Sequence, residues 1–259
     1  MKKTWFLLYG VIAYVIFFGT FLYAIGFVGN LFVPKSIDGT PTVSVSYAIL
    51  VNASLLLLFA LQHSIMARPA FKRWWTKFVP QPLERSSFVL LASLCLMLMM
   101  WQWQPIGGVV WSVQDEFAKS ILLGGYLLGW GIVLISTFAI NHFDLFGLRQ
   151  TWLYFTGKKY SQLPFRIPLF YRVVRHPLYF GFLVAFWSTP VMTAAHLLFA
   201  LLTTGYILTA ITFEEKDLVT QYGNDYVSYK KTASRIIPFL KSRNKKSNYD
   251  KSLNQEAVL

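Results

Sequence analysis

The sequence predicts an all-α, polytopic integral membrane protein with about six transmembrane helices, on three observations. Only 14% of its 259 residues are charged, 55% are hydrophobic, and the mean hydropathy is +0.48. A soluble domain needs about 25% charged residues to cover its wet surface. The apolar residues are gathered into charge-free runs, each near the ~20 residues a helix needs to cross a hydrocarbon core. Finally, all but two of the 24 lysines and arginines fall on one side of the topology those runs define, as the positive-inside rule requires.

The first run, Trp5–Val28, is too long for a signal-peptide core and has no small-residue cleavage site, so it reads as a retained span. Val43–Met66 and Ser86–Trp103 follow, then Ser120–Ile140. The fourth carries Gly125 and Gly129, with Gly124 and Gly131 nearby, a small-residue face for close helix packing. The last run, Leu178–Phe213, holds no Asp, Glu, Lys or Arg over 36 residues and is too long for one crossing. Pro190 near its middle predicts a hairpin turning around Ser188–Ala195. Five full crossings plus a broken or re-entrant one is the variant of this count.

With the N-terminus inside, the basic residues lie at Lys2 and Lys3, in the loops Arg68–Arg85 and Arg149–Arg175, and from Lys216 onward; only Lys35 and Lys119 fall outside. Both termini are therefore expected in the cytoplasm. The net charge of +13 is an orientation signal rather than a nucleic-acid footprint. Residues 1–240 read as a single transmembrane domain. Residues 241–259, basic and poor in apolar groups, read as a disordered tail near anionic headgroups. The single cysteine, Cys95, excludes an internal disulfide, and there is no CxxC, HExxH, GxGxxG or GxxxxGK[ST] pattern. No metal site is expected, and the oligomeric state is open.

Chemistry is then expected at the inner membrane surface. Arg175-His176-Pro177-Leu178-Tyr179-Phe180-Gly181 opens the fifth helix. Pro177 suits a first helical turn, whose free N–H groups and dipole favour an anion. Arg175 adds a guanidinium fork, and Gly181 allows close approach to the backbone. At the far end of the hairpin, Glu214 and Glu215 oppose the helix dipole and each other, so they call for a cation. Folding the hairpin brings the two ends together, where a zwitterion would find a partner for each charge. The plainer reading is that Arg175 follows the positive-inside rule and the two glutamates pair with Lys216 or Arg235.

This pattern, followed by Leu218, Gly223, Tyr226, Tyr229, Arg235 and Pro238, resembles the C-terminal half of a membrane superfamily. Its members are the isoprenylcysteine carboxyl methyltransferases, the phospholipid N-methyltransferases and the NnrU-like proteins. Asn141-His142-Phe143-Asp144-Leu145-Phe146-Gly147-Leu148-Arg149-Gln150, and Gln62-His63-Ser64 leading into Arg68–Trp75, resemble more closely the bacterial methanethiol S-methyltransferases. That resemblance implies methylation of methanethiol to dimethyl sulfide by S-adenosyl-L-methionine, at a bacterial cytoplasmic membrane with the site facing the cytoplasm. It implies that about 141–240 is the cofactor-binding half. Arg175 and His176 would hold the donor's carboxylate, Glu214 and Glu215 its ammonium or ribose, and Tyr179, Tyr226 and Tyr229 would lie near its adenine. A prenylcysteine carboxylate or phospholipid amine as acceptor, or a non-enzymatic NnrU-like role, are the alternatives.

A thiol reacts as its thiolate, so a base or a cationic environment would help. His142 or Asp144 as base, with Arg149 favouring the thiolate, is one reading of the acceptor side; helix-end capping and a positive-inside charge is the other. His63 reads first as a structural interfacial histidine, and His196, at the outer turn, is given no role.

Overall fold

The computed structural model describes residues 1–240; the stretch 241–259 read as a tail lies outside the described residues. In chain order the elements are α1 (Lys2–Gly29), α2 (Val45–Ala67), α3 (Pro69–Trp75), α4 (Gln81–Gln102), β1 (Val109–Ser112) and α5 (Glu116–Ile140). They continue with α6 (His142–Leu145), α7 (Leu148–Phe155), α8 (Pro177–Trp187), β2 (Val191–Thr193), α9 (Ala194–Tyr222) and α10 (Asn224–Thr232). The fold is a helical membrane bundle with one small two-stranded sheet. Five helices, α1, α2, α4, α5 and α9, are long and apolar enough to cross a bilayer. Their outer faces carry residues that a soluble fold buries, Leu57, Ile121 and Leu128 among them, each more than half exposed, as suits a surface wetted by lipid.

Four of the predicted spans coincide with helices, but α4 begins at Gln81, ahead of the charge-free run at Ser86. Its first turns carry Glu84 and Arg85, charged residues inside the helix that a hydropathy criterion trims away.

The expected hairpin forms with an unequal pair of arms. α8 has 11 residues, a rise of about 16 Å against a core of ~30 Å. It stops at Ser188, before Pro190, and the chain runs on extended into β2. β2 pairs antiparallel with β1, Val109 opposite Thr193 and Ser112 opposite Val191. Because β1 lies in the connection from α4 to α5, the strand end of the hairpin reaches the end of the bundle where α4 gives way to α5. The first arm of the hairpin is thus a short helix continued by a strand rather than a helix of full spanning length.

Irregular backbone at membrane depth is tolerated only where its polar groups are satisfied by protein. Here they are. Phe186 O meets His196 Nε2 at 2.9 Å, Thr189 O accepts from Trp111 Nε1 at 3.1 Å, and Pro190 O accepts from Val113 N at 2.9 Å. His196, fully buried, is therefore a structural partner of the helix break.

Gly125 and Gly129 face α8. A Cβ on Gly129 would lie 2.5 Å from Ala185 N and 2.7 Å from Gly181 O, and one on Gly181 would lie 2.7 Å from Gly129 O. The two backbones touch, the small-residue packing the sequence predicts. Gly124 and Gly131, on other faces, meet nothing within 4 Å.

The end of the bundle that carries the β-sheet is closed. The segment after α1 folds over the bundle, placing Ile37 and Trp103 together at 0% exposure, with Trp103 Nε1 donating to Ile37 O at 3.0 Å. The buried Asn52 is saturated by the backbone of Gln104, donating to its O at 2.7 Å and accepting from its N at 2.9 Å. At the opposite end, Phe6 near the start of α1 stacks on Tyr154 of α7 at 4.9 Å. That end also gathers α3, α6, α10 and the charged ends of α8 and α9.

Candidate active site

A cavity of about 1420 Å³ runs from this charged end into the bundle. Its inner walls are apolar, with Phe27, Met99, Trp130 and Phe199 at the closed end, and its mouth is polar.

The start of α8 and the end of α9 meet as the sequence predicts, but the charges are arranged differently from the expectation. Val174 and Ser234 form a parallel bridge, with Arg175 N donating to Ser234 O at 2.7 Å. The segment after α10 therefore clamps the entry to α8. Arg175 Nε donates to Glu215 Oε1 at 2.8 Å, and its Nη1 donates to the carbonyls of Lys230 and Ala233 at 3.1 and 2.6 Å. His176 Nε2 lies 3.2 Å from Glu215 Oε1, and Lys230 Nζ 3.3 Å from Glu215 Oε2. Arg175, His176 and Glu215 are all buried. Arg175 and Glu215 thus pair with each other rather than standing open for opposite ends of a ligand.

Glu214 is the carboxylate turned toward the cavity. Its Oε2 is buried without a hydrogen-bond partner among the described residues, and its ion-pair neighbour there is His176 Nδ1 at 3.9 Å. Across the cavity stands Arg85 of α4, whose Nε donates to Leu145 O at 2.7 Å and whose guanidinium lies 5.0 Å from the Phe88 ring centroid. No carboxylate pairs with Arg85 among the described residues. In the sequence alone it reads as one more positive-inside charge.

Tyr179, Tyr226 and Tyr229 all line the cavity. Tyr229 donates to Tyr171 O, while the hydroxyl of Tyr226 is buried without a partner among the described residues. Phe165, from the loop after α7, sits 6.0 Å from Tyr226 and 5.6 Å from Tyr229, adding an aromatic wall the sequence did not signal. Burial pushes the hydroxyls of Tyr171, Tyr226 and Tyr229 well above the ordinary tyrosine value, so they remain neutral donors. Three expected site residues face elsewhere than the cavity: Glu215, held by Arg175; Arg149, held by Asp144; and Gly181, whose open side is filled by the backbone of Gly129.

The trio from the α5–α7 corner is brought together but occupied. The His142 ring has Nε2 2.8 Å from the Tyr14 hydroxyl and Nδ1 2.8 Å from the Thr137 hydroxyl, and it stacks on Phe138 at 4.2 Å. Burial lowers its pKa, which keeps the imidazole neutral. Arg149 Nη1 donates to Asp144 Oδ1 at 2.8 Å and to Ser161 O at 3.0 Å, and its guanidinium covers Tyr160 at 5.1 Å. These contacts fasten the loop after α7 onto the helix corner; the side chain that caps α6 is that of Asn141, accepting from Asp144 N at 3.0 Å.

His63, read from sequence as structural, lines the cavity between Phe59 and Phe88 at 5.3 and 5.0 Å. Its Nδ1 is buried and unpartnered among the described residues. Only the folded neighbourhood reveals this, since nothing in the local sequence tells a satisfied histidine from an unsatisfied one. Among the described residues, no group of three or more His, Cys, Asp or Glu is placed to hold a metal ion.

Fold and site define a multi-pass helical membrane protein with an ionisable cavity at one end of the bundle. Methanethiol S-methyltransferase of Crocosphaera subtropica is 52% identical to it over 240 residues, covering 93% of this chain and 94% of that relative. Methanethiol S-methyltransferase of Mycobacterium tuberculosis is 49% identical over 239 residues, 92% and 98% of the two chains. The chain belongs to the methanethiol S-methyltransferase family. A more distant likeness is to Nurim of Sus scrofa, 30% identical over 176 residues, 64% of this chain and 66% of that protein. No family model matches the chain. No solved structure matches it either.

Proposed function

We propose that this protein methylates methanethiol to dimethyl sulfide, with S-adenosylmethionine as methyl donor. The observation that carries the reading is the cavity that holds Glu214 and Arg85, in a chain about half identical over nine-tenths of its length to proteins named for that reaction. The orphaned, buried Oε2 of Glu214 suits an ammonium, and the guanidinium of Arg85 suits a carboxylate. Together they fit the zwitterionic end of the donor. Arg175, His176 and Glu215 hold that end of the cavity in shape, and the aromatic wall of Tyr226, Tyr229 and Phe165 suits the flat face of an adenine. When bound, the donor supplies a methyl group activated on a sulfonium. The chain's own residues contribute positioning and a water-poor chamber, which in-line displacement chiefly needs.

The apolar inner wall suits a small thiol and favours it over a charged acceptor. The cavity mouth shares its end of the bundle with the basic loops, so by the positive-inside rule it opens to the cytoplasm of a bacterial inner membrane, as do both termini. The test uses purified protein in detergent with labelled S-adenosylmethionine and methanethiol, following dimethyl sulfide in the headspace by gas chromatography. Product that disappears in Glu214→Ala supports the reading. Donor binding without product would discard the thiol acceptor, and absence of both would discard the enzyme.

A further inference from the structure

A thiol that receives a methyl group must lose its proton, and the residues first expected to take it are engaged. Asp144 is held by Arg149, and both ring nitrogens of His142 face hydroxyl groups. His196 is bound to a backbone carbonyl at the closed end, and His176 to Glu215 at the mouth. Of the four histidines, His63 is the one whose ring makes no hydrogen bond among the described residues.

Its surroundings fit a small apolar reactant. The ring is held between Phe59 and Phe88, so its orientation is fixed by packing rather than by a polar partner. Phe88 is also the ring beneath the Arg85 guanidinium, which places a cation beside the same pocket. Arg68, one turn further along the chain, is drawn off by Asp217 at 2.8 Å. From α9, the Tyr206 hydroxyl faces this stretch of α2 but is bonded to Ser64 at 3.3 Å.

We propose that His63 is the catalytic base on the acceptor side. The inference rests on the thiol-methyltransferase reading above. In the step, the thiol S–H bond breaks and its proton passes to a His63 ring nitrogen. The freed electron pair on that sulfur forms the new S–C bond to the transferred methyl. The C–S bond to the donor breaks with its pair returning to the donor sulfur, which cancels the sulfonium charge. His63 then returns its proton to water through the cavity mouth.

The experiment compares methanethiol with 2,2,2-trifluoroethanethiol, a small thiol whose fluorines make it acidic enough to ionise in substantial part near neutral pH. His63→Gln should lose ~100-fold or more in kcat/KM on methanethiol and less than ~5-fold on the fluorinated thiol, as removal of a general base predicts. Its affinity for S-adenosylhomocysteine should be unchanged. Equal losses on both thiols, or no loss, would overturn the assignment. A second measurement needs no variant: diethyl pyrocarbonate followed by peptide mass mapping should modify His63, be slowed by ethanethiol, and spare His142. An unreactive His63, or one indifferent to ethanethiol, would overturn it. If the unaltered protein methylates neither thiol, the underlying reading fails and this inference falls with it.

Discussion

Arg175 Nε lies 2.8 Å from Glu215 Oε1, and both groups are buried at the junction of α8, α9 and α10. Each spends its remaining contacts inside the chain, on two carbonyls and on Lys230. Removing one partner leaves an uncompensated buried charge, which costs about 3–5 kcal/mol. Arg175→Met and Glu215→Gln should therefore each lower the thermal midpoint of the detergent-solubilised protein sharply. A double-mutant cycle should show the two losses to be far from additive. Additive losses would separate the pair.

Adjacent in sequence, Glu214 has the opposite expectation. Its carboxylate is open to the cavity, so Glu214→Gln should leave the thermal midpoint near the wild-type value. Removing a charged hydrogen-bond partner is worth about 1.5–3 kcal/mol, so affinity for S-adenosylmethionine should fall ~10- to 100-fold by calorimetry. Unaltered affinity would remove Glu214 from the donor site.

The contact between α5 and α8 gives a paired test. A Cβ at Gly129 would lie 2.5 Å from backbone, whereas one at Gly124 meets nothing within 4 Å. Gly129→Ala should destabilise by roughly 1–3 kcal/mol through overpacking, and Gly124→Ala should be silent or slightly stabilising. The comparison is read from thermal unfolding of the two variants; similar midpoints would contradict the face assignment.

His142 gives a pH prediction whose sign follows from burial. Its folded pKa is lowered, so below the ordinary histidine value of ~6.5 the unfolded chain takes up a proton that the folded chain refuses. Stability is thus lost as pH falls through ~6.5 toward the lower folded value. The loss between pH 7 and pH 5 should be smaller in His142→Asn than in the unaltered protein. Equal slopes would rule out this residue as a source.

The spans were legible because lipid imposes a one-dimensional rule, about twenty uncharged residues per crossing. The rule misplaced the start of α4, where Glu84 and Arg85 are helical in spite of their charge. Pro190 marked the turn of the hairpin, but not that a strand would finish what α8 begins, because the partner strand comes from a loop some eighty residues earlier. At the site, the residue types were legible and their allegiances were not. Whether Arg175 points at a ligand or at Glu215 is decided by α10 and the residue after it, which supply the carbonyls of Lys230 and Ala233. In the sequence His63 is an isolated histidine at a helix end, and its unsatisfied ring becomes visible only once Phe59 and Phe88 close around it.

The seal made by Ile37 and Trp103 at one end of the bundle bears on bioenergetics. A chamber holding arginine, histidine and glutamate, sunk deep into a membrane that stores ion gradients, would short-circuit those gradients if it were open at both ends. Closed by an indole and a branched aliphatic side chain, it is a blind well. In such a well, protons and water would exchange with one compartment only, and a small apolar product would leave by that mouth or sideways into lipid. Loosening the seal, for example by Trp103→Gly, would turn a catalyst into a leak.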